Sequence, residues 1–195
     1  MGKGEKDEQI LSDPELISRC SEGEVRAQEL LYRRYFSFAM SVAIRYTGDE
    51  SEAMEIVNDS FMKVLEKTGE FDSTRAFRPW YGKILVNSAI DKYRKNTKYS
   101  SHLQISEIET TEEQDPEVYA ELSAADILSL FRLLPEKYRI TFNLFEVEGY
   151  THDEIAEQLG ITASTSRSNL ARARKMLRDL YMKNFNPVKR NNEAV

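Results

Sequence analysis

The chain has 195 residues and a mass of 22.6 kDa, and 41% of its residues are apolar, enough for one ordinary domain or two small ones. Charged residues make up 31%, and no stretch approaches the roughly 18 uninterrupted apolar residues that a membrane-spanning helix needs. The charged residues 1–9 lack the apolar core of a signal peptide, so a cytoplasmic protein without membrane insertion is expected. The net charge of -6 argues at first against a nucleic-acid partner, and only 8 Gly and 5 Pro favour helices.

The N-terminal part of the chain carries helix signals. Ser12 followed by Pro at a first-turn position and by Glu15 predicts a capped helix over 13–20. Apolar residues recur at intervals of three and four over 24–46, which predicts a long amphipathic helix that stops near Gly48.

The same helical reading extends through the rest of the chain except for one segment. Helices are predicted over 51–67 and, with Pro79 opening it, over 79–94. Residues 100–123 lack helical periodicity, are rich in Ser, Thr and Glu, and contain an Asp-Pro pair, so they are predicted to be a flexible linker. After the linker, helices are predicted over 124–133 and 135–147.

A helix-turn-helix pattern lies near the C-terminus. Thr151 and Glu154 form a capping box that begins a short helix, Gly160 ends it, and Thr162 caps a basic helix predicted over 163–181. At about 100° per residue, one side of this helix is expected to pack: it carries Ser166, Leu170, Ala173 and Leu177. The other side is expected to be able to enter a major groove: it carries Ser164, Arg167, Ser168, Ala171 and Arg174. A plain helical hairpin with a solubilising face is the alternative for this segment.

The distribution of charge reverses the argument from net charge. The linker and the start of the next helix, 101–126, contain eight acidic residues and no Lys or Arg. Of the 33 acidic residues in the chain, 25 therefore lie elsewhere, against 27 bases. Two stretches are strongly basic, 75–98 with seven bases against Asp91 and 167–190 with eight bases against Asp179. Two basic islands on either side of an acidic belt are typical of phosphate contacts with nucleic acid.

The sequence contains few residues that could support metal or cofactor chemistry. The single Cys20 cannot form an internal disulfide, and the two histidines, His102 and His152, leave no zinc pattern. There is no Gly-rich phosphate-binding loop. His152 lies inside a capping box and His102 in the linker, so both are interpreted as incidental. No metal, cofactor or catalytic residue is predicted, and an enzyme is the least favoured class.

Two sets of motifs resemble a known family. Leu134-Pro135-Glu-Lys-Tyr-Arg139, Glu148-Gly149-Tyr150-Thr151, Glu154-Ile155-Ala156 and Leu159-Gly160-Ile161 resemble region four of extracytoplasmic-function (ECF) sigma factors of the sigma-70 family. Leu30-Leu31-Tyr32-Arg33-Arg34-Tyr35, the run Gly48–Phe61, Phe77-Arg-Pro-Trp80-Tyr81 and Ile90-Asp91-Lys92-Tyr93-Arg94 resemble region two. The sequence departs from the family at Ser166, where a small aliphatic residue is usual, at Asn169, where a base is frequent, and at Pro79.

The resemblance implies an all-α protein of two small helical domains, a region-two bundle and a region-four helix-turn-helix, joined by a flexible acidic linker. The expected organisation is a disordered tail over 1–11, region two over 12–99, the linker over 100–123, region four over 124–185 and a second tail over 186–195. Its implied function is that of an RNA polymerase sigma factor directing promoter-specific transcription initiation. The implied partners are core RNA polymerase, promoter DNA and, as is common in the family, an anti-sigma factor.

The resemblance also assigns roles to residues. Core polymerase is expected to bind the outward face of helix 51–67, at Glu52, Glu55, Asn58 and Asp59, while Ala53, Ile56, Val57, Ser60 and Val64 point inward. The minus-10 element is expected to contact Arg75, Arg78, Lys83, Asn87, Arg94 and Lys95, with a loop over 68–78 capturing an unstacked base. The minus-35 element is expected to contact Ser164, Thr165, Arg167, Ser168, Arg172 and Arg174.

Several alternatives stay open on the sequence alone. The acidic face of helix 51–67 can be an ordinary solvated face. Trp80, Ile84, Asn87 and Asp91 share one helical side, so Trp80 is expected in the core, and Asn87 or Asp91 can serve internal hydrogen bonds. The linker can occupy a basic polymerase channel until RNA displaces it, or be a simple tether. For the whole chain, the alternative is a helix-turn-helix transcription regulator that does not act as a polymerase subunit.

Overall fold

The computed structural model describes residues 11–99 and 123–185, and all regular structure in these two ranges is helical. The helices are α1 (Asp13–Ser21), α2 (Val25–Thr47), α3 (Glu50–Lys67), a 3-10 turn (Thr68–Glu70), α4 (Phe77–Tyr99), α5 (Ala124–Arg132), α6 (Glu136–Phe142), a π-helical turn (Asn143–Val147), α7 (His152–Leu159) and α8 (Ala163–Phe185). None of the helices in these ranges is long and apolar enough to cross a membrane. The all-α prediction is confirmed.

Two compact units divide the chain. The first consists of the residues up to Ile44 together with Glu50–Asp91, and the second of Arg45–Asp49 together with the chain from Lys92 onward. The predicted tails and linker lie outside the described residues, apart from Leu11 and Ser123 at their borders.

The first unit is a helical bundle. Its α1 begins as predicted, because the Ser12 side chain accepts from the Glu15 backbone N–H while the Glu15 carboxylate accepts from the Ser12 backbone N–H. The inward residues predicted for α3 are all buried. They pack in a core with apolar residues of the other helices: Leu16, Ile17, Cys20, Leu31, Ala39, Phe77, Tyr81 and Leu85.

The bounds of α4 differ from the prediction. The helix begins at Phe77, two residues before Pro79, and runs to Tyr99 instead of ending near Arg94. A Pro at the third helical position costs no intrahelical hydrogen bond, because the first four N–H groups of a helix have no partner within it. The predicted end is wrong because residues 95–99 contain no Gly or Pro to stop the helix.

The second unit carries a change of helical type. The predicted helix over 135–147 is helical almost throughout, but its last five residues form a π-turn. The buried Asn143 side chain donates to the Arg139 backbone carbonyl at 2.9 Å, and such a side chain competes with the regular backbone ladder. The Tyr150 N–H then bonds the Leu144 carbonyl at 2.9 Å, which ends the turn.

A buried arginine holds this unit together. Arg139 is 6% exposed and donates to the carbonyls of Leu134, Phe131, Tyr46 and Thr47, all within the same unit, the first three at 3.1, 3.4 and 2.8 Å. A Cβ on Gly48 would lie 2.7 Å from Nη1 of Arg139, so this site also needs a glycine for space. A buried guanidinium is stable when its donors are satisfied in this way.

Candidate functional site

The outward face of α3 carries the predicted polymerase-binding residues. Glu55, Asn58 and Asp59 are exposed and Glu52 is half-buried. The Tyr32 hydroxyl donates to Oδ1 of Asn58 at 2.9 Å, and the Tyr32 ring lies edge-on to Phe61 with centroids 5.0 Å apart. A packed tyrosine thus orients the Asn58 carboxamide on a face that is otherwise anionic.

Lys63 on α3 contacts the neighbouring helix α4. It is half-buried, and its Nζ lies 3.1 Å from Oγ of Ser88 and 3.0 Å from Oδ2 of Asp91. The ion pair ties α3 to α4 and occupies Asp91. The internal role left open for Asp91 is therefore the one that the structure shows.

The loop between the 3-10 turn and α4 has a defined shape. Oδ1 of Asp72 accepts from the Thr74 backbone N–H at 3.0 Å and from its hydroxyl at 2.6 Å, which forms an Asx turn. These bonds lower the pKa of the Asp72 carboxyl. Nε of Arg75 lies 3.2 Å from Oδ2 of Asp72, and the Arg75 side chain is 81% exposed.

An aromatic wall stands behind this loop. Phe71 lies 5.1 Å from Trp80 and 5.7 Å from Phe77, centroid to centroid. Phe77 and Tyr81 are almost fully buried, whereas Trp80 is half-buried. The core position expected for Trp80 is therefore only partly correct, because the adjacent rings fill the interior and leave part of the indole at the surface.

The basic residues predicted for the minus-10 element have different surroundings. Arg78 is exposed, and its guanidinium lies 4.5 Å above the Phe38 ring, a cation–π contact that restrains it. Lys83, Asn87 and Lys95 are exposed. Arg94 is exposed as well and donates to the Glu157 carbonyl at 3.2 Å within the second unit.

The helix-turn-helix has the predicted geometry. The Thr151 hydroxyl and Glu154 carboxylate complete the capping box of α7, and Gly160 adopts φ 67° in the left-handed region at its end. The Thr162 hydroxyl accepts from the Thr165 backbone N–H at 3.0 Å and caps α8. Sequence patterns place all four of these residues correctly.

The faces of α8 separate as projected. Ser166, Leu170 and Ala173 are buried and Leu177 is half-buried, and Asn169 is also buried. Ser164, Arg167 and Arg174 are exposed and Ser168 is half-buried on the opposite side. Thr165 is half-buried beside the cap. Nη1 of Arg172 lies 3.5 Å from the Tyr138 hydroxyl, which makes it a partly structural side chain.

Arg174 is held by a carboxylate of the π-turn. Its Nε and Nη2 lie 2.9 and 2.5 Å from Oε1 of Glu146, and its guanidinium carbon lies 6.0 Å from the centroid of the Phe145 ring. The pair is partly exposed, with 54% of the Arg174 side chain and 32% of the Glu146 side chain accessible. Any phosphate contact by Arg174 must compete with Glu146.

His152 contacts both α8 and the π-turn. Its Nδ1 lies 2.9 Å from Oγ of the buried Ser166, and its ring stacks on Phe145 with centroids 4.5 Å apart and planes 21° from parallel. Burial and the positive charges of Arg167 and Arg174 lower the pKa of His152, and the Asp153 carboxylate opposes that shift.

Sequence reasoning missed the supporting residues more than the exposed ones. Asp72 and Thr74 carry a local signal, because an Asp two residues before a Thr in a loop favours an Asx turn. Glu146, Phe145 and Tyr32 carry no such signal, since their partners lie 28, 7 and 26 positions away. In residues 11–99 and 123–185, no group of three or more His, Cys, Asp and Glu side chains is arranged to hold a metal ion.

Comparisons with known proteins give a consistent result. The family model for sigma-70 region 2 matches residues 31–99, and the model for sigma-70 region 4 matches residues 124–177, together more than half of the chain. The RNA polymerase sigma-H factor of Pseudomonas aeruginosa is 24% identical over 176 residues, covering 85% of this chain and 91% of that protein.

Two further similarities were found. The ECF RNA polymerase sigma-E factor of Salmonella typhimurium is 28% identical over 178 residues, covering 86% of this chain and 93% of that protein. A co-crystal structure of the sigma factor RpoE with the anti-sigma factor NepR from Bartonella quintana covers 82% of this chain and 99% of its own, with 21% identity and a TM-score of 0.47.

Proposed function

Because the chain belongs to the sigma-70 family, as an RNA polymerase sigma factor of the ECF type, we propose that three of its surfaces bind different partners during transcription initiation. The exposed face of α3 binds core RNA polymerase, the loop and basic side of α4 bind the minus-10 element, and α8 binds the minus-35 element. An anti-sigma factor completes the set of partners. In this proposal the protein acts by binding and catalyses no reaction. It acts in the cytoplasm, where polymerase and DNA are found.

The proposal for α3 rests on charge, exposure and a fixed scaffold. Glu52, Glu55 and Asp59 recur at three and four residues on a helix whose other side is fully packed. Tyr32 holds Asn58 beside them at 2.9 Å. An anionic face of this kind is complementary to a basic helical surface, and such complementarity accelerates association and selects the partner.

The proposal for the minus-10 element rests on the loop at 71–76 and its aromatic backing. Asp72 shapes the loop, in which Arg75 is exposed, and the part-exposed Trp80 offers an aromatic surface against Phe71. Stacking surfaces with phosphate-binding charge are what single-stranded DNA requires. Asn87, exposed on the first unit's part of α4, is proposed to contact a base, and Arg78, Lys83, Arg94 and Lys95 to contact the sugar-phosphate backbone.

The single observation that carries the proposal of promoter binding is the exposed polar side of α8. Its first turns present Ser164, Arg167 and Ser168 away from a buried face, and the capped turn before it is that of a helix-turn-helix. Short hydroxyls permit close approach to base edges, and Arg can bridge guanine or hold phosphate. Thr165, Arg172 and Arg174 are proposed to join this contact, each from a position where it also has a structural partner.

The competing interpretation is a helix-turn-helix regulator that never joins polymerase. It explains α8 equally well but leaves the anionic face of α3 without a purpose. The matches to both sigma regions favour the sigma factor.

Run-off transcription with purified core polymerase and fragmented genomic DNA tests the proposal. Asp59→Arg is expected to abolish polymerase binding, because it reverses the charge at the centre of the α3 face, whereas Glu22→Arg makes the same charge change at an exposed position outside it. Arg167→Ala is expected to keep polymerase binding and weaken promoter binding by about 1–3 kcal/mol.

The matched control for Arg167 is Lys183→Ala, 16 residues further along the same helix and about 24 Å away. Wild-type protein that fails to bind core polymerase, or that leaves start-site choice unchanged, would contradict the proposal. Promoter-selective DNA binding without polymerase binding would favour the regulator instead.

A further inference from the structure

His152 connects the two helices of the helix-turn-helix through a directed contact. As the first residue of α7, it brings Nδ1 to 2.9 Å from Oγ of Ser166, which is 0% exposed on α8. Burial of the apolar side chains of Leu170 and Ala173 on the same face is non-directional. A hydrogen bond to a fully buried hydroxyl is directional, and leaving that hydroxyl unpaired costs free energy.

The rotation of α8 decides which residues can face DNA. Consecutive residues on a helix are about 100° apart, so Ser166 on the buried side determines where its neighbour Arg167 points. A contact that fixes Ser166 therefore fixes the direction of the exposed side as well.

The His152 ring also contacts the π-turn, which holds a later turn of α8. It stacks on Phe145 at 4.5 Å, and Glu146, the next residue, holds the Arg174 guanidinium. Ser166 and Arg174 are eight residues apart, slightly more than two helical turns. One imidazole and its neighbours in the π-turn thus hold α8 at two points.

We propose that His152 is a positioning residue for minus-35 recognition, which fixes the rotation of α8 through its hydrogen bond to Ser166. The proposal rests on the proposed function of α8. In its neutral form with the proton on Nε2, the imidazole accepts at Nδ1 a hydrogen bond from the Ser166 hydroxyl. An Asn at position 152 can place Oδ1 near the Nδ1 position and keep an acceptor there while losing most of the stack.

A double-mutant cycle with a conservative variant tests this role. The proteins are the full-length wild type, His152→Ala, Ser166→Ala, the double variant and His152→Asn, each assembled with core polymerase. The measured quantity is the ratio of affinities for a promoter selected by the run-off assay and for the same promoter with its minus-35 element scrambled.

Each Ala variant is expected to lower this ratio about threefold to tenfold, the size of one hydrogen bond, and the double variant is expected to lower it no further. His152→Asn is expected to stay within about twofold of wild type, and polymerase binding is expected to be unchanged in all. Losses that multiply in the double variant, or an Asn variant as poor as the Ala variant, would overturn the proposal.

Amide hydrogen exchange over residues 163–170, measured on the same proteins without DNA, gives a second cycle. Each Ala variant is expected to speed exchange in these residues and the double variant to add nothing, whereas Glu157→Ala, an exposed truncation on α7, is expected to leave exchange unchanged. If the wild-type complex shows no preference for the intact minus-35 element, the proposed function has failed, and the exchange cycle still decides whether His152 positions α8.

Discussion

At the scale of single residues, the side chains that shape the proposed binding surfaces differ from those that touch the partner. Asp72, Tyr32 and His152 each hold another side chain or a loop through a short hydrogen bond. Tyr32 orients the exposed Asn58 amide, and Asp72 shapes the loop that carries the exposed Arg75. His152 holds the buried Ser166, whose neighbour Arg167 is exposed. Removing a supporting residue is therefore expected to impair function while leaving the number of available contacts the same.

Asp72→Ala is expected to reduce promoter opening several-fold with little effect on polymerase binding. The substitution removes both bonds to Thr74 and the ion pair to Arg75, so the loop must be ordered anew each time it captures a base. Permanganate footprinting of unpaired thymines measures opening. Ser73→Ala in the same loop is the control, and an equal loss in that variant would show that the Asx turn is not responsible.

His152 also predicts a dependence of stability on pH. Its pKa is lowered in the folded protein relative to about 6.5 in the unfolded chain, so the native state favours the neutral imidazole. The resulting stability is present above about pH 6.5 and is lost as the pH falls through the folded pKa. Urea unfolding followed by circular dichroism from pH 8 to 5 is expected to show a steeper decline for wild type than for His152→Asn.

The fluorescence of Trp80, which lies in the first unit, supplies an internal control for that experiment. Its unfolding midpoint at each pH is expected to be the same in wild type and variant. Equal slopes of stability against pH for the two proteins would show that His152 does not contribute.

At the scale of elements, the helix-turn-helix depends on one backbone conformation. Gly160 has φ 67°, and a Cβ built there meets nothing within 4 Å, so any cost of Gly160→Ala comes from the backbone alone. A left-handed residue with a Cβ costs about 1–2 kcal/mol. We expect that loss in the free energy of unfolding of the second unit, with weaker binding to the minus-35 element.

Gly69→Ala, measured on the unfolding of the first unit, is the control, because Gly69 also has open space around it but no positive φ. Its effect on unfolding is expected to be small. If the two variants lose the same stability, the left-handed turn is not the source of the cost.

At the scale of the whole molecule, the acidic segment over 101–126 lies in the chain between the elements proposed to bind the minus-10 and the minus-35 DNA. Eight carboxylates without a base between 101 and 126 give it a charge density that resembles nucleic acid. We expect neutralisation to amides at constant length to change the ratio of abortive to full-length transcripts, if the segment occupies a basic channel. Shortening at constant charge is expected to act mainly through reach. If the segment is only a tether, we expect shortening to have the larger effect and neutralisation the smaller one.

Local sequence patterns were sufficient to predict the helices, their caps and the division of α3 and α8 into buried and exposed faces. These properties depend on residues three or four apart or on one capping side chain, so the local pattern contains the whole cause. The local pattern was also sufficient to identify the family and to propose the exposed candidate residues. It misplaced the end of α4, because no local breaker marks that end.

The side chains that hold those candidates in place are seen only in the tertiary structure. The pairs Lys63 with Asp91, Arg174 with Glu146 and His152 with Ser166 join residues that are 28, 28 and 14 positions apart. Nothing in a helical period or a capping motif selects one distant partner over another. Their selection follows from how the helices pack, which brings these polar groups within hydrogen-bond distance of one another. For the buried Ser166, leaving the hydroxyl unpaired would also be costly.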